Sequence, residues 1–222
     1  VERMRKMKTI PKVKICGIRS MNDIEILNEY RPDYCGFVFA ESKRKVGLTE
    51  VKELIPYLQK EILPVGVFVD QEITFIMKAI EAGIKVVQLH GDEDQQFINE
   101  LKIKINNNQI SIWKVIRINK EIASDREPYL NINGLIFDKY SAVAYGGTGV
   151  AFNWDILSGK TFEAPIVLAG GLTADNLKDA VRIVNPFCVD VSSSVETHGY
   201  KDKEKVKVFV KKLKSLNLFN SQ

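Results

Sequence analysis

The run Val13-Lys14-Ile15-Cys16 ends in a thiol, and Gly17 follows at once. A cysteine there is either a small core residue or, with cationic groups beside it to lower its pKa, a base or nucleophile. A second run, Gly134-Leu135-Ile136-Phe137, ends in Asp138. That carboxyl is either a cap or an acid whose pKa is raised by apolar surroundings. Two clusters close the last two apolar runs: Gly170-Gly171, and Asp190 followed by Ser192-Ser193-Ser194. Each alone fits ordinary turn chemistry, but together on consecutive loops they suit a phosphate held by backbone amides at a short helix start. Other polar residues near run ends are Ser42-Lys43-Arg44, Asp70, His90 and Arg117. The two histidines, His90 and His198, have no partners at metal-ligand spacing, so no metal is expected. His90 suits a structural or ligand-orienting role, His198 a surface loop.

These residues need elements to carry them. KVKIC, YCGFVF, LPVGVFV, KVVQLH, SIWKVIRI, NGLIFD, PIVLAG and FCVDVS are apolar without strict alternation, as strands buried on both faces must be. Eight such runs alternate with mostly helical segments at the cadence of a single-domain (β/α)8 TIM barrel, with parallel strands and right-handed crossovers. Leu177, Ala180, Val181 and Val184 form one helical stripe, and Val206, Phe209, Val210 and Leu213 another. Val51, Leu54, Ile55 and Leu58 form a third, which Pro56 should shorten. A fifth helix within Asn119–Leu130 is weak, broken by Pro128. Thr173 and Asn153 are candidate N-caps for the segments that follow them. Gly146-Gly147-Thr148-Gly149 lacks the P-loop spacing and reads as a closing loop. A doubly wound open sheet fits less well, since no G-x-G-x-x-G follows the first strand. In such a barrel the active site lies at the C-terminal ends of the strands, where the polar residues above fall.

Composition narrows the function classes. The 222 residues are 45% hydrophobic, enough for one large core. The basic segment 1–11 reads as an N-terminal extension without a secretory signal's apolar stretch, and 12–222 as the catalytic barrel. A net charge of +4 without a basic tract argues against nucleic acid. No apolar run approaches the roughly 18 residues of a membrane span. Three cysteines without disulfide or metal spacing point to a reducing, cytoplasmic setting, with Cys35 and Cys188 as packing.

From about Lys12 to Leu213 the chain resembles the phosphoribosylanthranilate isomerases of tryptophan biosynthesis. The likeness rests on Lys14-Ile15-Cys16-Gly17, Gly36-Phe37-Val38-Phe39, Ser42-Lys43-Arg44, Val65-Gly66-Val67-Phe68-Val69 and Gln88-Leu89-His90-Gly91. It continues through Asp138, Gly146-Gly147-Thr148-Gly149 with Phe152-Asn153-Trp154, and Leu168-Ala169-Gly170-Gly171-Leu172. Val189-Asp190-Val191-Ser192-Ser193 and Lys201-Asp202 complete it. The resemblance implies an Amadori rearrangement of N-(5-phosphoribosyl)anthranilate to 1-(2-carboxyphenylamino)-1-deoxyribulose 5-phosphate, with no cofactor. It also implies Asp138 as general acid, Cys16 as general base and Arg44 as partner of the anthranilate carboxylate. Asp190 would orient the ligand near its amino group; His90 is a further binding residue, and Gly170, Gly171, Ser192 and Ser193 would hold the phosphate. A monomer or homodimer is expected.

Three positions depart from the family pattern. Asn153 replaces an aspartate, with little effect expected on capping, and Lys43 replaces a common proline. Ser194 replaces a glycine; if that position requires positive φ, the serine costs on the order of 1 kcal/mol and weakens phosphate binding. Two rivals are the analogous isomerase of histidine biosynthesis, which uses paired aspartates, and a barrel that binds a phospholigand without chemistry. Cys16 argues against the first, and retention of both Cys16 and Asp138 against the second.

Overall fold

The computed structural model describes residues 10–118, 129–139 and 153–216. Eight parallel strands close into a barrel in sequence order: β1 (Lys12–Cys16), β2 (Tyr34–Val38), β3 (Leu63–Phe68), β4 (Val86–Leu89), β5 (Ser111–Ile118), β6 (Gly134–Lys139), β7 (Ile166–Leu168) and β8 (Cys188–Val191). All eight apolar runs are strands, because both faces are covered, one by the barrel interior and one by helices. Helices α1 (Met21–Tyr30), α2 (Leu48–Leu54), α3 (Ile73–Glu81), α4 (Gln95–Ile105), α5 (Leu177–Val184) and α6 (Lys203–Lys214) supply the outer cover. The stripes expected on α5 and α6 are buried at every position. Pro56 ends α2 as expected: the chain tightens into a 3-10 turn at Ile55–Tyr57.

Alternation along each strand sorts side chains into two compartments. Outward residues such as Ile15, Phe37, Leu89, Phe137 and Val189 join the large core shared with the helices. Inward residues Tyr34, Val65, Val86, Trp113, Val115, Ile136, Val167, Ala169 and Cys188 fill the barrel. Strand β1 breaks the apolar rule on its inward face. There Lys12 sits at the exposed lower end, its ammonium 5.4 and 5.2 Å from the ring centres of Tyr34 and Phe187. Lys14 is fully buried above it, and Cys16 comes next at the top.

The helical half of the pattern needs two corrections. After β6 the described residues hold a single 3-10 turn at Trp154–Leu157, capped by Asn153, whose Oδ1 accepts from the Asp155 amide at 3.1 Å. Thr173 does not cap α5 directly; Asn176 occupies that position, without a side-chain cap bond to the helix. Thr173 and Asn176 instead exchange bonds of 2.8 and 3.3 Å that close the preceding turn. Most of the N-terminal extension, nearly all of 119–130 and the loop Gly146-Gly147-Thr148-Gly149 lie outside the described residues. No helix among the described residues is long and apolar enough to cross a membrane.

A short hairpin, β9 (Glu196–Thr197) paired with β10 (Tyr200–Lys201), follows β8. It leans toward the first two loops: Arg19, after β1, donates to the carbonyls of Lys43 and Gly199 and stacks on Tyr200. The β1, β2 and β8 loops therefore form one wall at the barrel mouth.

Candidate active site

The inward residues at the C-terminal ends of the strands open on one cavity of about 820 Å³ including its mouth, a size suited to a small ligand. Every site residue expected from the sequence lines it. Four other polar residues near the run ends, Lys43, Asp70, Arg117 and Ser194, do not line it. Asp70 accepts from the Asp92 amide, and Arg117 pairs with Asp92, both at the β3 and β4 loops outside the cavity.

Cys16 is partly exposed toward the cavity, and two glycines make its place. A Cβ at Gly36 would stand 2.7 Å from the Cys16 Sγ. Gly17 has φ +88°, and a Cβ there would overlap the Arg44 stem. The strand end is tied down from β8, where the Ser192 hydroxyl donates to the Cys16 carbonyl at 2.9 Å. Burial pushes the thiol's pKa up; Lys14 pulls it back, Asp190 adds to the rise, and Lys201 opposes it.

Asp138 faces the cavity from β6, 8% exposed, with Oδ1 accepting from the Lys139 amide at 2.7 Å. Loss of water raises its pKa to about 6, and the negative charge of Asp190 adds to the effect. His90 Nε2 lies 3.5 Å from Asp138 Oδ2. Burial, with the positive charges of Lys14, Arg117 and Lys114, lowers the imidazole's pKa to about 3, so it is neutral beside the acid. Gly170, at φ +78°, has to be glycine on a second ground: a Cβ would sit 2.7 Å from the Lys139 amide and 2.9 Å from Asp138 Oδ1.

Gly170 and Gly171, both at positive φ, turn the chain after β7. Ser192 leads into a 3-10 turn at Ser193–Val195 after β8, whose first amides have no acceptor within the turn. Ser194 is not among the residues with positive φ, which removes the expected strain. Its hydroxyl donates to the Leu172 carbonyl at 2.6 Å and ties the β7 loop to the β8 loop. A glycine could not make that tie. Together the two loops form a concave, amide-rich rim suited to an anion.

Arg44 lines the cavity and is held by Glu196, which nothing in the sequence marks as a site residue. Its Nε and Nη2 donate to Glu196 Oε1 and Oε2 at 2.8 and 2.7 Å. Glu196 also accepts from Lys201 at 2.6 Å. Burial works against its charge, but Arg44 and Lys201 together hold the carboxyl below its usual range. The fork leaves the outer edge of the guanidinium to meet a planar anion. Gln88, within the motif Gln88-Leu89-His90-Gly91, is a second site residue not expected from the sequence. It is 2% exposed, lines the cavity, and its Oε1 has no partner among the described residues. An amide in an apolar strand, at inward parity with His90, was the available signal. Among the described residues no group of three or more His, Cys, Asp and Glu could hold a metal ion.

Fold and mouth define a class: (β/α)8 barrels equipped for acid–base chemistry on a small phosphorylated ligand. Comparison with known proteins narrows it. Residues 13–212 match the family described as N-(5'-phosphoribosyl)anthranilate (PRA) isomerase. The N-(5'-phosphoribosyl)anthranilate isomerase of Thermoanaerobacter sp. (strain X514) is 45% identical over 206 residues, 92% of this chain and 98% of that one. The crystal structure of phosphoribosyl anthranilate isomerase from Thermotoga maritima superposes with TM-score 0.81 at 31% identity, over 93% of this chain and 100% of the other. A phosphoribosyl anthranilate isomerase in complex with reduced 1-(o-carboxyphenylamino)-1-deoxyribulose 5-phosphate gives 0.75 at 29%, with the same coverage. The chain belongs to the N-(5'-phosphoribosyl)anthranilate isomerase family.

Proposed function

We infer that this chain catalyses the Amadori rearrangement of N-(5'-phosphoribosyl)anthranilate in tryptophan biosynthesis, with Asp138 as general acid and Cys16 as general base. One observation carries the assignment of roles. The glycine- and serine-rich loops follow β7 and β8, so a phosphate held there has the acid strand β6 on one side and the thiol strand β1 on the other. A ribose anchored by its 5'-phosphate thus lies between acid and base.

Asp138 gives its proton to the ring oxygen as the C1–O bond breaks, leaving a C1 iminium ion. With a pKa near 6, a useful fraction of the acid keeps its proton around neutrality. The Cys16 thiolate takes the proton from C2, and the C2–H electrons become the C1–C2 double bond while the iminium pair returns to nitrogen. Loss of the C2 hydroxyl proton and protonation of C1 yield the ketone. Asp190 Oδ1 is buried without a partner among the described residues and suits the substrate's amino group. The open edge of Arg44 suits the anthranilate carboxylate, and His90 keeps Asp138 oriented. The iminium ion itself acidifies C2, so the chemistry calls for no cofactor. The reading fits a cytoplasmic enzyme, monomer or homodimer, with no nucleic-acid partner.

Turnover of freshly prepared phosphoribosylanthranilate by the wild type and by Asp138→Asn and Cys16→Ala tests this. Each variant is expected to lose about 100-fold or more in kcat, the scale of one general acid or base, while still binding product. Full activity in Cys16→Ala would remove the thiol as base. No conversion by folded wild type would leave a phospholigand-binding barrel.

A further inference from the structure

Lys14 is 0% exposed inside the barrel, two residues before Cys16 on the same face of β1. Its ammonium donates to Asp190 Oδ2 at 2.6 Å across the β1–β8 pairing. A buried ion pair is a costly way to fill a barrel, since apolar residues of similar volume pack there at least as well. Its contribution to stability alone therefore does not account for Lys14.

The charges around the thiol suggest what the lysine does. The charges that act on Cys16 are those of Lys14 on its own strand, Asp190 on β8, Arg44 in the β2 loop and Lys201 on β10, while Glu41, His90 and Asp138 line the same cavity and Cys35 lies on the outward face of β2. Of the cations, Arg44 and Lys201 already share Glu196. Lys14 is tied to one oxygen of Asp190, whose other oxygen has no partner among the described residues.

We propose that Lys14 is a positioning residue that couples ligand binding to the charge state of Cys16, an inference that rests on the isomerase reading above. In the empty site its charge is largely answered by Asp190. When the substrate's amino group, cationic at the iminium stage, meets Asp190 Oδ1, the carboxylate's charge is shared with the ligand. The field of Lys14 then falls on the thiol and favours the thiolate when C2 must lose its proton. Burial of the thiol and the opposing signs of Lys14 and Asp190 in its surroundings agree with this balance.

The test is the pH dependence of iodoacetamide alkylation at Cys16, followed by peptide mass spectrometry, in wild type and Lys14→Met. Cys35 and Cys188 are fully buried and provide the slow internal reference. Loss of the ammonium is expected to raise the alkylation midpoint by at least one pH unit and to lower kcat tenfold or more, with near-ultraviolet circular dichroism unchanged. An unshifted midpoint in a folded variant would overturn the proposal. Should Lys14→Met leave Asp190 unpaired and fail to fold, the comparison moves to Asp190→Asn against Lys14→Met/Asp190→Asn, which contains neither charge. Equal midpoints in these two would show that the field of Lys14 does not reach the thiol, and that result too would overturn the coupling. Absence of turnover by wild type would instead count against the isomerase reading, which the alkylation data do not depend on.

Discussion

Asp138 and Cys16 are both moved by burial, and in directions that set an unusual ionisation problem. The acid titrates near 6 and the thiol above its ordinary range, so the form with Asp138 protonated and Cys16 ionised is a small minority at every pH. Raising the pH toward 6 creates thiolate faster than it consumes the acid. Between the two pKa values the effects cancel, and beyond the thiol's value the acid is lost without gain. The kcat/KM profile is thus expected to be flat between a limb near pH 6 and one above the usual thiol range. A profile that falls steadily above pH 6 would show that no ionising thiol takes part. The reversed assignment of the limbs also explains why a lysine below the thiol matters: any downward shift of the thiol's pKa enlarges the active fraction directly. At this scale the sequence was partly legible. Cys16, Asp138 and the glycines stood at the ends of apolar runs. Glu196 did not, because its partner Arg44 lies 152 residues away, and only closure of the barrel brings the β2 loop against the β9–β10 hairpin.

The elements that carry these groups are held by small contacts between loops. The β1–α1 loop passes beneath the Arg44 stem, and Gly17 leaves room for it with a backbone at φ +88°. Gly17→Ala is expected to cost about 1–2 kcal/mol of stability for the left-handed backbone and to displace Arg44. The measurable result is a KM raised more than kcat is lowered, together with a lower Tm. Unchanged KM would show that Arg44 does not contact the substrate. The stripes of α5 and α6 could be read in advance because amphipathic spacing is local. The 3-10 turn after β6 and the extra turn before α5 could not be. Thr173 and Asn176 are both good capping residues three apart, and the choice between them is made by the bonds they exchange. Ser194 shows the limit of reading a departure from a family pattern: the hydroxyl adds a tie between the β7 and β8 loops, and the backbone needs no glycine.

Across the whole molecule the proposed site is lopsided. The acid, the phosphate rim and the thiol occupy β6, β7, β8 and β1, while Arg44 and Glu196 extend the same wall toward β2. The opposite side lends Gln88 and His90 to the cavity, while the Asp70, Asp92 and Arg117 contacts at the β3 and β4 loops lie outside it. A product analogue at 100 times its Kd is expected to stabilise the fold by about 2.7 kcal/mol. Amide hydrogen exchange should show the added local protection at the β7 and β8 loops and the β9–β10 hairpin, with little at the β3 and β4 loops. Uniform protection would place the ligand elsewhere. The overall architecture was the most legible feature of all, since eight runs buried on two faces admit few arrangements other than a closed parallel barrel.

The Lys14–Asp190 pair joins the first strand of the barrel to the last, residue opposite residue. Slipping β1 by one position would turn Lys12 and Lys14 into the apolar layer under the helices. A slip of two would keep the parity but strand an ammonium and a carboxylate at different heights in a dry interior, where an unpaired charge is severely penalised. The closing seam therefore accepts one alignment and rejects its neighbours, and the charge pair at the floor of the cavity also works as the registration pin by which the end of the chain finds its beginning.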